Sequence, residues 1–176
     1  MIRDPEEAAR RIKMVLLDVD GVLTSGGIIL DDDGKQYKVF HVRDGHGIKL
    51  LQREGIKVGI ITGRTSEVVL RRAKELSIEE VYQGSHDKLK AYEQIKQKHG
   101  LKDEQICYIG DDIVDIPVLK RVGLPVAVAD ATEETKSVSM LITRSPGGRG
   151  AVREVAEFIL KAQQKWEAII GRYMAS

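Results

Sequence analysis

Met14-Val15-Leu16-Leu17-Asp18-Val19-Asp20-Gly21-Val22-Leu23-Thr24 is the stretch on which the reading of this chain turns. Four apolar residues running into two aspartates and a glycine read as a buried strand ending where polar chemistry begins. Asp18 and Asp20 are separated by one residue. At a strand's end the first suits attack on phosphorus, and the second, one side chain further on, suits passing a proton to and from a leaving group. Gly21 lets the backbone turn closely around a bound ligand, although Asp-Gly after a strand is also an ordinary turn signal.

Three further polar clusters follow apolar runs of the same kind. Val58-Gly59-Ile60-Ile61 ends in Thr62-Gly63-Arg64; Val81-Tyr82-Gln83 leads through Gly84-Ser85-His86-Asp87 to Lys88; Ile106-Cys107-Tyr108-Ile109 ends in Gly110-Asp111-Asp112. Helical segments separate them, which predicts an α/β fold with a doubly wound parallel sheet between helical layers. Ligands of such sheets sit beyond the carboxyl ends of the strands, so the four clusters converge on one rim. A carboxylate approaching a phosphate monoester is repelled unless a cation bridges the two anions. Asp18 and Asp111 would hold that cation, and hard oxygen ligands suit Mg2+. Thr62 would donate its hydroxyl to a phosphoryl oxygen, and Lys88 would place positive charge beside the nucleophile. Asp20 remains as acid and then base.

In this order the motifs resemble those of the haloacid dehalogenase superfamily of phosphohydrolases, on Asp18 and Asp20, Thr62, Lys88, and Asp111 with Asp112 and Asp115. The resemblance implies Asp18 as nucleophile, Asp20 as acid/base that also ligates Mg2+ through its main-chain carbonyl, and Asp111 as the remaining ligand. Asp112 and Asp115 would support the metal site from behind. For Asp115 the alternative is a solvent-facing aspartate in a first helical turn.

At 176 residues the chain is one domain's worth, read as a single unit over 1–176. Its 28 Lys and Arg balance 27 Asp and Glu, so no general basic surface for nucleic acid is implied and a small substrate is expected. The apolar runs are too short to span a bilayer, and the start carries no signal-like hydrophobic region; a cytoplasmic protein without membrane contact is expected. Cys107, inside an apolar run, reads as core. No histidine pair or Cys-His spacing suggests zinc, and His99 and His86 read as structural or surface groups.

Residues 27–42 read as a β-hairpin whose acidic turn, Asp31-Asp32-Asp33-Gly34, is a solvated tip. Only this hairpin and one helix lie between Asp18 and Thr62, and only a helix and a short strand between Thr62 and Lys88. No large cap domain fits in either place. Something else must cover the rim, because aspartyl phosphate chemistry works best with water restricted. Ile28, Ile29, Val39 and Phe40 exceed what a free ribbon needs, and an isolated two-stranded hairpin is marginal, which points to homo-oligomerisation.

Phe40-His41-Val42-Arg43-Asp44-Gly45-His46-Gly47 and Ser145-Pro146-Gly147-Gly148-Arg149-Gly150-Ala151-Val152-Arg153-Glu154, with Thr62-Gly63-Arg64, resemble the 3-deoxy-D-manno-octulosonate 8-phosphate (Kdo 8-phosphate) phosphatase family over nearly the whole chain after about Lys13. That resemblance implies a capless tetramer whose hairpins form a central barrel and whose C-terminal segment, here 145–176, reaches a neighbour's active site. It also implies a sugar acid phosphate substrate in lipopolysaccharide biosynthesis. Substrate contacts would fall on Asp20, His41, Val42, Arg43, Asp44, Gly45, Lys49, Gly63, Arg64, Arg72 and Lys88. Lys49 stands where relatives often carry arginine and His41 where they often carry asparagine, which alters donor geometry. The glycines 147, 148 and 150 suit a mobile or closely approaching loop, or a plain strand-to-helix turn. From Val152 to Ile170 an apolar helical stripe runs with a gap near Gln163-Gln164.

Three other readings stand beside this one. A phosphatase for a nine-carbon sugar acid phosphate would use the same scaffold. A phospho-receiver module also combines acids, threonine and lysine on a parallel sheet, but it carries its acidic pair after the first strand, whereas Asp111-Asp112 comes last here. A subunit that binds a sugar phosphate without turnover is the third.

Overall fold

The computed structural model describes residues 4–175. In chain order the elements begin with α1 (Pro5–Arg10), β1 (Met14–Leu17), β2 (Ile29–Leu30), β3 (Gln36–Tyr37), α2 (Val42–Arg53), β4 (Lys57–Ile61), α3 (Glu67–Glu75), β5 (Glu80–Tyr82) and α4 (Lys88–His99). They continue with β6 (Ile106–Gly110), α5 (Ile116–Leu119), β7 (Leu124–Ala127), α6 (Glu133–Ser137), β8 (Leu141–Ile142), α7 (Ala151–Ala162) and α8 (Trp166–Met174).

Six strands form one parallel sheet in the order β5-β4-β1-β6-β7-β8. The chain therefore winds outward from β1 first to one side and then to the other, and the direction reverses between β1 and β6. Such a reversal opens a crevice beyond the strand ends, because the connections leave on opposite faces. Asp18 follows β1 and Asp111 follows β6, so the two carboxylates flank that crevice.

All of β1 is buried, as an apolar run covered on both faces demands. Val15 and Leu17 join the core formed with α1, α2, α3, α7 and α8; Met14 and Leu16 face the smaller core of α4 and α5. Leu17 lies level with Ile60 of β4 and Ile109 of β6, which brings the residues after all three strands to the same edge. Cys107 is fully buried, as expected of a core position.

The hairpin is a short ribbon, with two residues from each of β2 and β3 paired antiparallel. Its acidic tip is a turn: Asp31 Oδ1 accepts from the Asp33 and Lys35 amides, and Oδ2 from the Tyr37 hydroxyl. The strand pairing ends at Tyr37, and residues 38–41 lead into the next helix. Val42 opens α2, whose first turn is capped by His41 Nδ1 accepting from the Arg43 amide. Residues 145–174 lie against the body of the protein. α7 packs along α2, and Tyr173 of α8 reaches His46 Nε2 at 3.1 Å and Arg53 Nη1 at 3.3 Å. The gap in the apolar stripe is a helix break at Gln164, where φ is +58°, stabilised by Gln163 Nε2 donating to the carbonyls of Ala9 and Ile12.

Candidate active site

Asp18 leaves β1 almost enclosed, its Oδ1 accepting from the Val19 amide at 2.7 Å and its Oδ2 paired with Lys88 Nζ at 2.8 Å. Lys88 reaches it from the first turn of α4, which Asp87 caps by accepting from the Lys90 amide. The same ammonium lies 2.6 Å from Asp115 Oδ1, to which the Tyr108 hydroxyl also donates at 2.6 Å. The other oxygen of Asp115 accepts from the amides of Asp111 at 2.9 Å and Asp112 at 3.3 Å. Asp115 is thus wholly buried and saturated, not a solvent-facing helix residue. It holds both the lysine and the loop that presents Asp111. Gly110 makes this possible, since a Cβ there would stand 2.6 Å from the Asp115 side chain.

Asp111 faces the loop that follows β1 from the other side of the crevice. Gly21 has φ +88°, and a Cβ on it would come within 1.9 Å of Asp111 Oδ2, so glycine is required twice over. Asp111 Oδ1 is buried without a hydrogen-bond partner. Carboxylate oxygens of Asp18, Asp111 and Asp115 lie within 4.8 Å of one another. Burial, then repulsion from Asp18 and Asp115, pushes Asp111 up to about 8 despite Lys88. Burial and Asp115 likewise push Asp18 up to about 6 against the pull of Lys88. Burial alone would lower Lys88, but Asp18 and Asp115 outweigh it and hold the ammonium above its usual range. One cation does not balance three carboxylates. An all-oxygen donor set with an orphaned oxygen fits a hard divalent ion. Because Asp115 is already saturated, Asp18 and Asp111 are the carboxylates available to it.

Thr62 is buried at the end of β4, its amide donating to the Tyr82 carbonyl and its own carbonyl accepting from Ser85. Those main-chain bonds fix its place on the rim beside the Gly84–Asp87 turn that carries Lys88. Asp20 stands at the mouth, with Lys38 Nζ at 2.5 Å from Oδ1 and Arg64 Nε at 4.0 Å from Oδ2.

Comparisons with known proteins identify the family. A family model described as haloacid dehalogenase-like hydrolase matches residues 76–155. The 3-deoxy-D-manno-octulosonate 8-phosphate phosphatase of Yersinia pestis is 45% identical over 168 residues, covering 96% of this chain and 90% of that protein. The chain belongs to the Kdo 8-phosphate phosphatase family of haloacid dehalogenase-like hydrolases. The corresponding Escherichia coli K12 enzyme is 43% identical over 93% of this chain and 87% of its own length. Among solved structures, the Moraxella catarrhalis phosphatase in complex with magnesium, phosphate and KDO superposes with a TM-score of 0.95 at 42% identity, covering 98% of this chain and 99% of that one.

The substrate contacts expected from the Kdo 8-phosphate phosphatase family divide into three groups. Gly63 and Arg64 lie on the rim, Arg64 exposed beside Asp20. Arg72 is half-buried, its guanidinium 5.7 Å from the Phe40 ring and paired with Glu75 at 2.8 Å, with Gly45 leaving it room; a Cβ there would be 2.4 Å from Nη2. His41, Val42 and Arg43 form the first turn of α2, where Val42 and Arg43 project into solvent.

Asp44 and Lys49 make polar contacts within the protomer. Asp44 is buried, and its carboxylate caps α7, accepting from the amides of Gly150 at 3.2 Å and Arg153 at 2.9 Å. Burial raises its pKa, and those amides oppose the rise. Its oxygens are therefore committed to the last loop within this protomer. Lys49 lies two turns along α2, and its Nζ donates to Ser77 Oγ beyond the end of α3, away from the carboxylate cluster. Asp112 is exposed and caps the short turn Ile113–Asp115 through the Ile113 amide.

The glycine-rich loop is a close approach. A Cβ on Gly147 would stand 1.7 Å from the Gly21 carbonyl and one on Gly148 2.2 Å from Thr24, while the Gly148 amide donates to Val22 at 2.8 Å. It buttresses the loop that follows β1. Lys38 was not identified from sequence. Only the alternation of Gln36, Lys38 and Phe40 on one side of the ribbon marked it.

Proposed function

We propose that the protein is a Mg2+-dependent phosphatase hydrolysing Kdo 8-phosphate to Kdo and inorganic phosphate, a step of lipopolysaccharide biosynthesis. The observation that carries this reading is the Asp18–Lys88–Asp115 chain facing the unpartnered oxygen of Asp111 across the sheet's crevice. Asp18 attacks phosphorus, forming an aspartyl phosphate as the bond to the sugar oxygen breaks. Asp20 protonates that departing oxygen. It then takes a proton from the water that attacks the aspartyl phosphate, releasing phosphate and restoring Asp18. Thr62, with Lys88, positions the phosphoryl oxygens, and Lys88 keeps Asp18 ionised and aimed. Mg2+, held by Asp18, Asp111 and the main-chain carbonyl of Asp20, would neutralise charge between nucleophile and phosphate. Gly63, Arg64 and Arg72, with the His41–Gly45 turn, are the groups on this rim for the sugar acid's carboxylate and hydroxyls.

Chain 1–176 acts as one catalytic unit with the hairpin as its protrusion. Ile28, Ile29, Leu30, Tyr37 and Val39 of that hairpin are all exposed. Such a surface favours burial between copies, and a homotetramer working in the cytoplasm is the assembly the reading implies. Among the described residues no helix is long and apolar enough to cross a membrane. Sedimentation should give a tetramer that Val39→Asp dissociates; a fully active monomer would remove the oligomer from the reading.

The substrate test is phosphate release with Mg2+ from Kdo 8-phosphate, a nine-carbon sugar acid 9-phosphate and hexose phosphates, with Asp18→Asn as blank. Strong preference for the first is expected. Preference for the nine-carbon compound would keep the chemistry and overturn the substrate, and no release from any would favour a non-catalytic binding protein.

A further inference from the structure

The hairpin is exposed along one side and lies against the protein along the other. Tyr37 and Val39 face outward, whereas Gln36, Lys38 and Phe40 turn inward, the two-residue period of an extended ribbon. Phe40 anchors the inner side against the main core and under the Arg72 guanidinium. Lys38 is the charged member of that side. Its side chain is only 5% exposed, although it stands on a protrusion, and its ammonium lies 2.5 Å from Asp20 Oδ1. A lysine buried to this degree requires a partner, and Asp20 supplies it. Asp20 is 24% exposed, and among the described residues the ion-pair partner of its second oxygen is Arg64, at 4.0 Å. One oxygen is clamped and the other is nearly unrestrained.

We infer that Lys38 is a positioning residue for proton transfer: it fixes Asp20 by Oδ1, leaves Oδ2 to exchange the proton with the departing sugar oxygen, and so makes acid/base catalysis depend on the hairpin's placement. The inference rests on Asp20 being the acid/base of the proposed phosphatase. Among the described residues the ion-pair partner of Lys38 is Asp20, not Asp18, so it acts on the proton and not on the attack at phosphorus. Without a partner, a part-exposed aspartate side chain would sample several rotamers. The ammonium selects one, and the selection is made from a segment that would also be clasped by neighbouring copies.

Substrates that differ in leaving group separate this role from a merely structural one. Kdo 8-phosphate expels an alkoxide that needs the proton, whereas 4-nitrophenyl phosphate expels a phenolate that does not. In single-turnover measurements on the full-length protein with saturating Mg2+, Lys38→Met should slow cleavage of the sugar phosphate about 10-fold to 100-fold and leave the 4-nitrophenolate burst within about twofold of the unaltered protein. Lys38→Arg, which keeps a cation in reach, should recover most of the loss. In an Asp20→Asn background Lys38→Met should cost nothing further, since the group it positions is gone. Equal slowing of both substrates would place Lys38 on the phosphoryl group and overturn the inference, as would an additive loss in the double variant or unchanged rates with both substrates. If Lys38→Met lowers the thermal midpoint, the Lys38→Arg protein, judged by the same pair of substrates, carries the decision: failure to recover the sugar phosphate rate in a folded Arg variant overturns it. Absence of phosphate release from the unaltered protein would instead strike the phosphatase reading, and this inference with it.

Discussion

Asp111, at the carboxyl end of β6, and Asp103, in the turn that leads into the same strand, are the same residue type in opposite electrical states. Asp103 accepts from the Tyr92 hydroxyl at 2.6 Å and Lys96 at 2.8 Å, with Arg121 at 3.6 Å. Burial opposes ionisation there, but Lys96 and Tyr92 prevail and hold the carboxyl below its usual range. Glu80, at the start of β5, is held low in the same way by Lys98 and His99, again against burial. At the rim Asp111 is pushed up to about 8, and one of its oxygens has no partner. At the far end these acids have cationic partners; at the rim Lys88 alone faces the three carboxylates of the cluster. A fold that satisfies its acids at one end and leaves them unsatisfied at the other has kept the second end for a ligand.

Substitutions at the two ends should therefore have inverse effects. Asp18→Asn removes the proposed nucleophile and should lower turnover by about 10^4-fold or more. It should leave the fold intact and raise the thermal midpoint of the metal-free protein, because it takes one negative charge from a crowded, buried set. A metal-free midpoint below that of the unaltered protein would contradict the claim that the rim is strained.

Gly147→Ala tests how closely the rim is braced. The added methyl has no space beside the Gly21 carbonyl, and the displaced groups are main chain. A loss of about 3 kcal/mol on chemical unfolding is expected, together with reduced turnover, since the buttress and Asp20 share one loop. Asp103→Asn, at the opposite end, should cost only about 1 kcal/mol, since the amide weakens bonds to Lys96 and Tyr92 that are partly screened by solvent. Turnover should not change. A fall in turnover would couple the two ends and break the comparison.

Most of the rim was legible in the sequence because a parallel sheet announces its ligand end. Asp18, Thr62 and Asp111 each follow an apolar run, and level register does the rest. Lys88 was legible as the first lysine after the third run. The state of Asp115 was not, since a first-turn aspartate reads the same whether it faces solvent or folds beneath its own strand. The capping role of Asp44 was not legible because its partners, the amides of Gly150 and Arg153, lie far along the chain, and a main-chain donor leaves no residue signature. Lys38 looked like one more polar residue on an exposed ribbon. β7 and β8 escaped notice too: Pro125 interrupts the strand pattern of Leu124–Ala127, and Leu141–Ile142 is only two residues long. The sequence thus carries what local order dictates, while long-range capping and pairing need the fold.

The subtlest expected effect is the pH dependence of stability, and its sign distinguishes the two ends. In the unfolded chain an aspartate releases its proton near pH 4. In the metal-free folded protein Asp18 keeps it to about pH 6 and Asp111 to about pH 8. Between those limits the native state binds more protons than the unfolded one, so stability contributed by these protonated groups is present in mild acid and is lost as pH rises through 6 and 8. Asp103 and Glu80, held low, contribute stability that is present above the unfolded carboxyl range and is lost only as pH falls through their lowered values. Melting curves in chelator should therefore show a midpoint that declines by a few degrees from pH 5.5 to 8.5. Magnesium should reverse the decline, with a larger gain at high pH, because the ion competes with protons for the same oxygens. Asp111→Asn should flatten the metal-free slope and abolish the magnesium gain, whereas Asp103→Asn should leave both intact. A magnesium gain that is the same at every pH would mean that the raised carboxyls are not where the ion binds.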